Sequence, residues 1–129
     1  MGTQSPEITV EFLDAFADAW NRHDVDDLMS FMTNDCVFEA SAGDEKCGVR
    51  YEGVDAVRAG FAKAWEKLPD AQWSGARHFV SGDRGVSEWT FSGTQADGKR
   101  VEVGGCDIFT FRDGKIAIKN SYRKYRSPF

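Results

Sequence analysis

From Val101 to Phe111 the chain reads VEVGGCDIFTF, an alternation whose one face is Val101, Val103, Gly105, Asp107, Phe109 and Phe111. Such a segment is a strand, and its apolar face has to be covered by other elements of the same chain. One carboxylate, Asp107, stands in the middle of that face. Burying it without partners costs several kcal/mol, roughly, or forces it to keep its proton, so a fold built on this strand must pair the acid or use it. Gly104 and Gly105 weaken the strand interior, yet the missing side chain at Gly105 makes room beside the acid on the inward face.

The preceding segments supply the cover. Ser5, Pro6 and Glu7 read as a helix start, with an N-cap hydroxyl, a proline at the first helical position and an acid in the first turn. Ile8, Phe12, Phe16 and Trp20 recur at intervals of four and predict an inward stripe, ended by residues 21–24. Asp24 caps a second short helix with Leu28, Phe31 and Met32 on its buried side, broken by Asn34 and Asp35. A third helix follows Gly53; Val57, Phe61, Ala64, Trp65 and Leu68 form its stripe, and Pro69 stops it. Between the second and third helices lie a short strand at 36–40 and a loop over 41–52, of a length that often covers a site.

After these helices the pattern changes to strands over 72–80, 86–93, 99–112 and 115–125, separated by turns at SGDRG, ADG and RDG. Three helices followed by a four-stranded meander predict a single α+β domain over residues 1–129, with 1–4 as a flexible tail. In it a curved antiparallel sheet wraps the helices and leaves a cavity between the layers.

Register decides which residues share that cavity with Asp107. Both ADG and RDG can form a two-residue type I′ loop or a three-residue turn with a glycine bulge, and the two choices put opposite faces inward. For the first hairpin the bulged turn sets Phe91 opposite Val103, Trp89 opposite Gly105 and Ser87 opposite Asp107, whereas the alternative sets Glu88 and Thr90 against the apolar face. Matching apolar with apolar selects the bulge. In the second hairpin Ile116 and Ile118 alternate with Ala117 and Lys119, and pattern alone leaves both registers open. The same bulged turn pairs Phe109 with Ala117, Asp107 with Lys119, Gly105 with Ser121 and Val103 with Arg123. Ile116, Ile118 and Tyr122 then face outward. An outer face carrying Ile108, Ile118 and Tyr122 is too apolar for water, which predicts a homodimer through the sheet.

Composition removes several classes of function. The chain has 129 residues, 41% of them hydrophobic, enough for one core. A formal net charge of −5, with no cluster of Lys and Arg interleaved with aromatics before Lys119 to Arg126, argues against nucleic acid. No apolar run approaches the roughly 20 residues that span a bilayer, and MGTQSPE has neither a basic n-region nor an apolar h-region. Cys36, Cys47 and Cys106 are odd in number and lack CxxC spacing, as expected of reduced thiols in a cytoplasmic protein. Outside any metal-ligand pattern stand His23 and His78, and GxxxxGK[ST], GxGxxG and GxSxG are all missing. The expectation is chemistry or binding without metal or cofactor.

Four segments in order, AWNRHDVDDLMSFM, NDCVFEASAG, YEGVDAVRAGF and GVSEWTFSGTQADGKRVEVGGCDIFTFRDGKI, resemble the nuclear transport factor 2-like domains that include SnoaL-like polyketide cyclases and ketosteroid isomerases. The resemblance covers nearly the whole chain. It implies a cone-shaped half-barrel of the cystatin-like roll type, a deep apolar pocket and frequent dimerisation through the sheet. By its place in CDIFTF, Asp107 is similar to the isomerase acid that donates to a dienolate oxygen and to the cyclase aspartate that moves a proton. The isomerase's general base falls at Ala40, with Glu39 one place earlier, and its tyrosine falls at Phe16. In limonene-epoxide-hydrolase-like members the second acid falls near Ser121 and the arginine at Gly105. Neither complete constellation is present.

The residues read as catalytic are therefore Asp107, Lys119 and Ser121, a set able to hold an anionic or enolisable oxygen and shuttle one proton. Phe12, Phe16, Trp20, Phe38, Ala40, Phe61, Trp65, Trp89, Phe91, Val103, Gly105, Phe109 and Arg123 are read as the substrate pocket. The expected function is a cofactor-independent isomerase, cyclase or lyase acting on a small lipophilic carbonyl compound. Two alternatives stand beside it, a non-catalytic binder of a hydrophobic ligand and a dimeric interaction module. Asp107 and Lys119 also have a structural reading, as a buried ion pair that sets sheet register, and His78 reads as structural.

Overall fold

The first helix begins later than its proline suggests. In the computed structural model, which describes residues 7–129, α1 spans Val10–Asn21 and is capped by Thr9, whose hydroxyl accepts the Phe12 N–H at 3.2 Å. The start read at Ser5 and Pro6, like the tail over 1–4, lies outside the described residues, while Glu7 and Ile8 precede the helix. Ile8 before the cap and Leu13 in the first turn are both buried, the placement of a hydrophobic staple. Ile8 thus joins the core without joining the helix, although its four-residue spacing from Phe12 mimics a helical stripe.

Asp24 caps α2 (Val25–Ser30) as expected, accepting the Asp27 N–H at 3.0 Å. The chain then enters β1 (Met32–Glu39) directly, so Asn34 and Asp35 are strand residues and not helix breakers. Both face water, and Asp35 pairs with the guanidinium of Arg112 from the neighbouring hairpin. Inside the segment read as a loop over 41–52 lies β2 (Arg50–Glu52), antiparallel to β1. Gly53, with a φ of 85°, leads into α3 (Val54–Glu66).

The remaining strands are β3 (Gln72–Ser81), β4 (Arg84–Thr94), β5 (Arg100–Arg112) and β6 (Lys115–Arg123). They form one curved, unclosed six-stranded sheet in the order β2-β1-β6-β5-β4-β3, with the helices against its inner face. β1 and β6 run parallel and every other neighbouring pair is antiparallel.

The β4–β5 hairpin has the bulged register: Phe91 faces Val103, Trp89 faces Gly105 and Ser87 faces Asp107, with Gly98 at a φ of 85° in the turn. The β5–β6 hairpin differs from its expectation. Asp113 and Gly114, at φ of 53° and 73°, form a two-residue turn of the I′ kind that pairs Phe111 with Ile116. A bulge at Ala117 then shifts the register, setting Phe109 opposite Lys119, Asp107 opposite Ser121 and Gly105 opposite Arg123. The expected pairs of Phe109 with Ala117, Asp107 with Lys119 and Gly105 with Ser121 are each displaced by two residues, and Arg123, expected opposite Val103, faces Gly105. A two-residue shift preserves the face, so Lys119 and Ser121 still point inward. Ile116, expected outside, is buried at 0% exposure, because the tight turn places it inward and the bulge reverses the alternation after it.

Candidate functional site

The inner face of β5 and β6 brings Asp107, Lys119 and Ser121 into one hydrogen-bonded cluster. Asp107 Oδ1 accepts from Lys119 Nζ at 2.9 Å and from the Ser121 hydroxyl at 2.5 Å, and Lys119 Nζ also donates to Ser121 Oγ at 2.7 Å. The second carboxylate oxygen, Oδ2, accepts the indole N–H of Trp89 at 3.1 Å. Gly105 makes that last contact sterically open. A Cβ there would lie 2.5 Å from the Trp89 ring, so the space beside the acid is filled by the indole that binds it. The lysine and aspartate side chains are only 6% and 8% exposed. Three donors converging on one carboxylate offset the cost of burying it.

Lys119 and Ser121 are the members that meet open space. Lys119 Nζ lies 4.8 Å from the Trp20 ring centre, 4.7 Å from Phe38 and 5.6 Å from Phe61, a cage of aromatic faces around the ammonium. Burial pulls its amine below the ordinary lysine range, against the opposing attraction and hydrogen bond of Asp107, while Arg123 adds to the lowering. Beside Lys119 opens a cavity of about 480 Å³ lined by Trp20, Phe38, Tyr51, Trp73 and Trp89, and also by Ser121, Lys63, Glu66, Lys67 and Arg123. The Arg123 guanidinium stacks 3.9 Å from the Phe91 ring centre. Asp107 does not line this cavity; it borders a separate void of about 20 Å³ together with Phe16, Trp20, Trp73, Ser87, Trp89 and Phe109.

A second polar chain reaches that void from behind. His78, its side chain 2% exposed, is 2.7 Å through Nδ1 from Ser87 Oγ, and its Nε2 is 2.9 Å from Asp14 Oδ1 on α1, off the direction a hydrogen bond needs. Asp14 is exposed, so the imidazole lies between α1 and the buried hydroxyl opposite Asp107.

Of the residues read as pocket wall, Trp20, Phe38, Ala40, Trp89 and Arg123 line the larger cavity, and Phe16 and Phe109 line the small void. Phe12, Phe61, Trp65, Phe91, Val103 and Gly105 line neither. Phe12 packs against Phe31 at 5.1 Å at the far end of the core, Phe61 backs the aromatic cage, and Trp65 stacks on His23 at 5.0 Å. Phe91 supports Arg123, Val103 is core, and Gly105 underlies Trp89. Glu39, one place before Ala40, is held by Arg50 at 2.8 Å.

Trp73, Tyr51 and the Ser87–His78 pair were missed from the sequence. The placement of Trp73 and His78 follows from β3, where both face inward despite opposite parity, because a bulge around Gly75 reverses the alternation between them. The glycine was the available signal.

Residues 13–118 match the SnoaL-like domain family. Comparison with curated proteins finds no matching relative. Among solved structures, a candidate polyketide cyclase from Xanthomonas campestris pv. campestris superposes with a TM-score of 0.78 at 21% identity, over 91% of this chain and 89% of that one. An NTF2-like protein of unknown function from Mesorhizobium loti gives 0.75 at 27% identity, over 93% and 97%. TerC, co-crystallised with polyporic acid, gives 0.74 at 21% identity, over 89% and 90%.

Proposed function

We propose that this chain, which belongs to the SnoaL-like domain family, binds a small lipophilic carbonyl compound and moves a proton on it without a cofactor. The observation that carries the reading is the Lys119 ammonium, anchored by Asp107 and Ser121 at the floor of an aromatic cavity of about 480 Å³. A cavity of that size takes a molecule of two or three fused rings' bulk, and the rings of Trp20, Phe38 and Phe61 surround the lysine that meets its oxygen.

The roles differ from those expected for an isomerase acid. Lys119 stabilises and protonates the substrate oxygen, and Asp107 supplies the compensating negative charge from behind. The amine left by that proton transfer accepts the proton from the neighbouring carbon, so one group serves as acid toward oxygen and base toward carbon. No second carboxylate is required.

A non-catalytic binder is the second reading, favoured by Asp107 having both oxygens engaged. Two measurements separate the readings. Polyporic acid and β-tetralone are titrated by quenching of tryptophan fluorescence, and β-tetralone is followed by NMR in heavy water for exchange of its α-protons. Binding with exchange that disappears in Lys119→Met supports catalysis, whereas binding at a background exchange rate leaves only the binder. Absence of binding by any such ring compound removes both.

A further inference from the structure

Two other lysines that line the cavity, Lys63 and Lys67, differ from Lys119 in one respect that matters for carbonyl chemistry. They are exposed, while Lys119 is 5% exposed and its Nζ sits inside the aromatic cage at the end of the cavity. Any carbonyl group pressed to the floor therefore meets an amine nitrogen, a hydroxyl and, through them, a carboxylate. That is the set of groups required to make and break a carbon–nitrogen double bond.

Resting on the function proposed above, we infer that Lys119 forms an imine with aldehydes or ketones bound in the cavity. The proton balance closes within the cluster. Transfer of one proton from the Lys119 ammonium to Asp107 leaves a free amine beside a carboxylic acid, across the 2.9 Å hydrogen bond already in place. The amine lone pair attacks the carbonyl carbon, the C–N bond forms, and the carbonyl π pair moves to oxygen. That oxygen takes the proton released by nitrogen and becomes a hydroxyl. Asp107, through the Ser121 hydroxyl at 2.5 Å, returns its proton to the hydroxyl, which leaves as water while the C=N bond forms. Ammonium plus carbonyl thus becomes iminium plus water, with no charge gained or lost and no outside reactant.

The product also fits its surroundings. An iminium at Lys119 keeps the positive charge between Asp107 and the rings of Trp20, Phe38 and Phe61. Desolvation lowers the cost of the free amine at this position, which exposed lysines lack.

The test uses the intact chain, naphthaldehyde as the probe and cyanoborohydride to reduce any imine to a stable secondary amine, followed by mass spectrometry and peptide mapping near neutral pH. One naphthylmethyl group on the Lys119 peptide, formed faster than on any exposed lysine, is the expected result, because lowering an amine leaves more of it in the free form. Lys119→Arg, which keeps the charge, loses that label. Modification confined to exposed lysines, with quenching of tryptophan fluorescence showing that naphthaldehyde still binds, overturns the imine and leaves the proposed function standing. Absence of both label and binding overturns both. The peptide map of the unaltered protein decides the matter even if the variant does not fold.

Discussion

Asp107 and Lys119 illustrate why a charged pair can be conspicuous without being a source of stability. Each ion has lost most of its water, and their attraction with the surrounding hydrogen bonds offsets that loss. Removing one partner leaves the other uncompensated, so Lys119→Met and Asp107→Leu should each cost about 3–5 kcal/mol in urea denaturation. The double variant should recover most of that loss, with a coupling of opposite sign to the single effects. Additive losses would show that the pair does not act as one unit. A pH series adds a second check. Because burial leaves the folded-state value of Lys119 below that of the unfolded chain, the unfolded chain binds more protons between that lowered value and the ordinary lysine value of about 10.4. The contribution of Lys119 to stability is therefore greatest above the unfolded value and is lost as pH falls through the folded one. Relative to Lys119→Met, the unaltered protein should gain stability as pH rises through this window. The opposite slope would mean that the attraction of Asp107 outweighs burial.

At the scale of elements, what was legible in the sequence is what local chemistry specifies. Asp24 and Gly53 mark helix starts because a cap side chain and a positive φ are local requirements, and the Asp107 face of β5 follows from alternation over eleven residues. The β5–β6 register was not legible, since Ile116–Lys119 offers an apolar residue to either face and the structure uses both through the Ala117 bulge. Three-residue β2 is too short to carry a pattern. The Asp107–Lys119–Ser121 cluster nevertheless emerged from the wrong turn, because an error of two residues keeps the face. The role of Gly105 was legible only as empty space, and Trp89 is its occupant. Gly105→Ala would place a Cβ 2.5 Å from both the Trp89 ring and the Tyr122 carbonyl oxygen, so it should cost about 1–3 kcal/mol and alter tryptophan emission as the indole leaves Asp107. Gly104, where an added Cβ would meet nothing within 4 Å, is the internal control, and Gly104→Ala should change emission little. Equal effects at both positions would assign the loss to strand backbone and not to the indole contact.

The whole molecule puts its helices and its polar cluster on one side of the sheet and leaves the other side to be accounted for. Across that outer face Phe79, Val86 and Ile108 stand side by side on β3, β4 and β5, with Thr110 and Ile118 paired beyond them and Tyr122 further along β6. Phe79 and Tyr122 are 53% and 51% exposed, and Val86, Ile108 and Ile118 are half-buried by their own neighbours alone. Exposed apolar side chains grouped on one face are costly in water and suit a partner of the same character, and a second copy presents the same face by two-fold symmetry. We propose that two chains pair face to face through these residues, which leaves both cavity mouths, on the inner side, open to ligand. Sedimentation equilibrium at micromolar concentration should then return twice the 14.4 kDa chain mass, and Ile108→Glu should return a single chain by placing a charge at the centre of the contact, with its far-ultraviolet spectrum unchanged. A single-chain mass for the unaltered protein at that concentration would remove the dimer, and the outer face would then have to be explained by a partner of a different sequence.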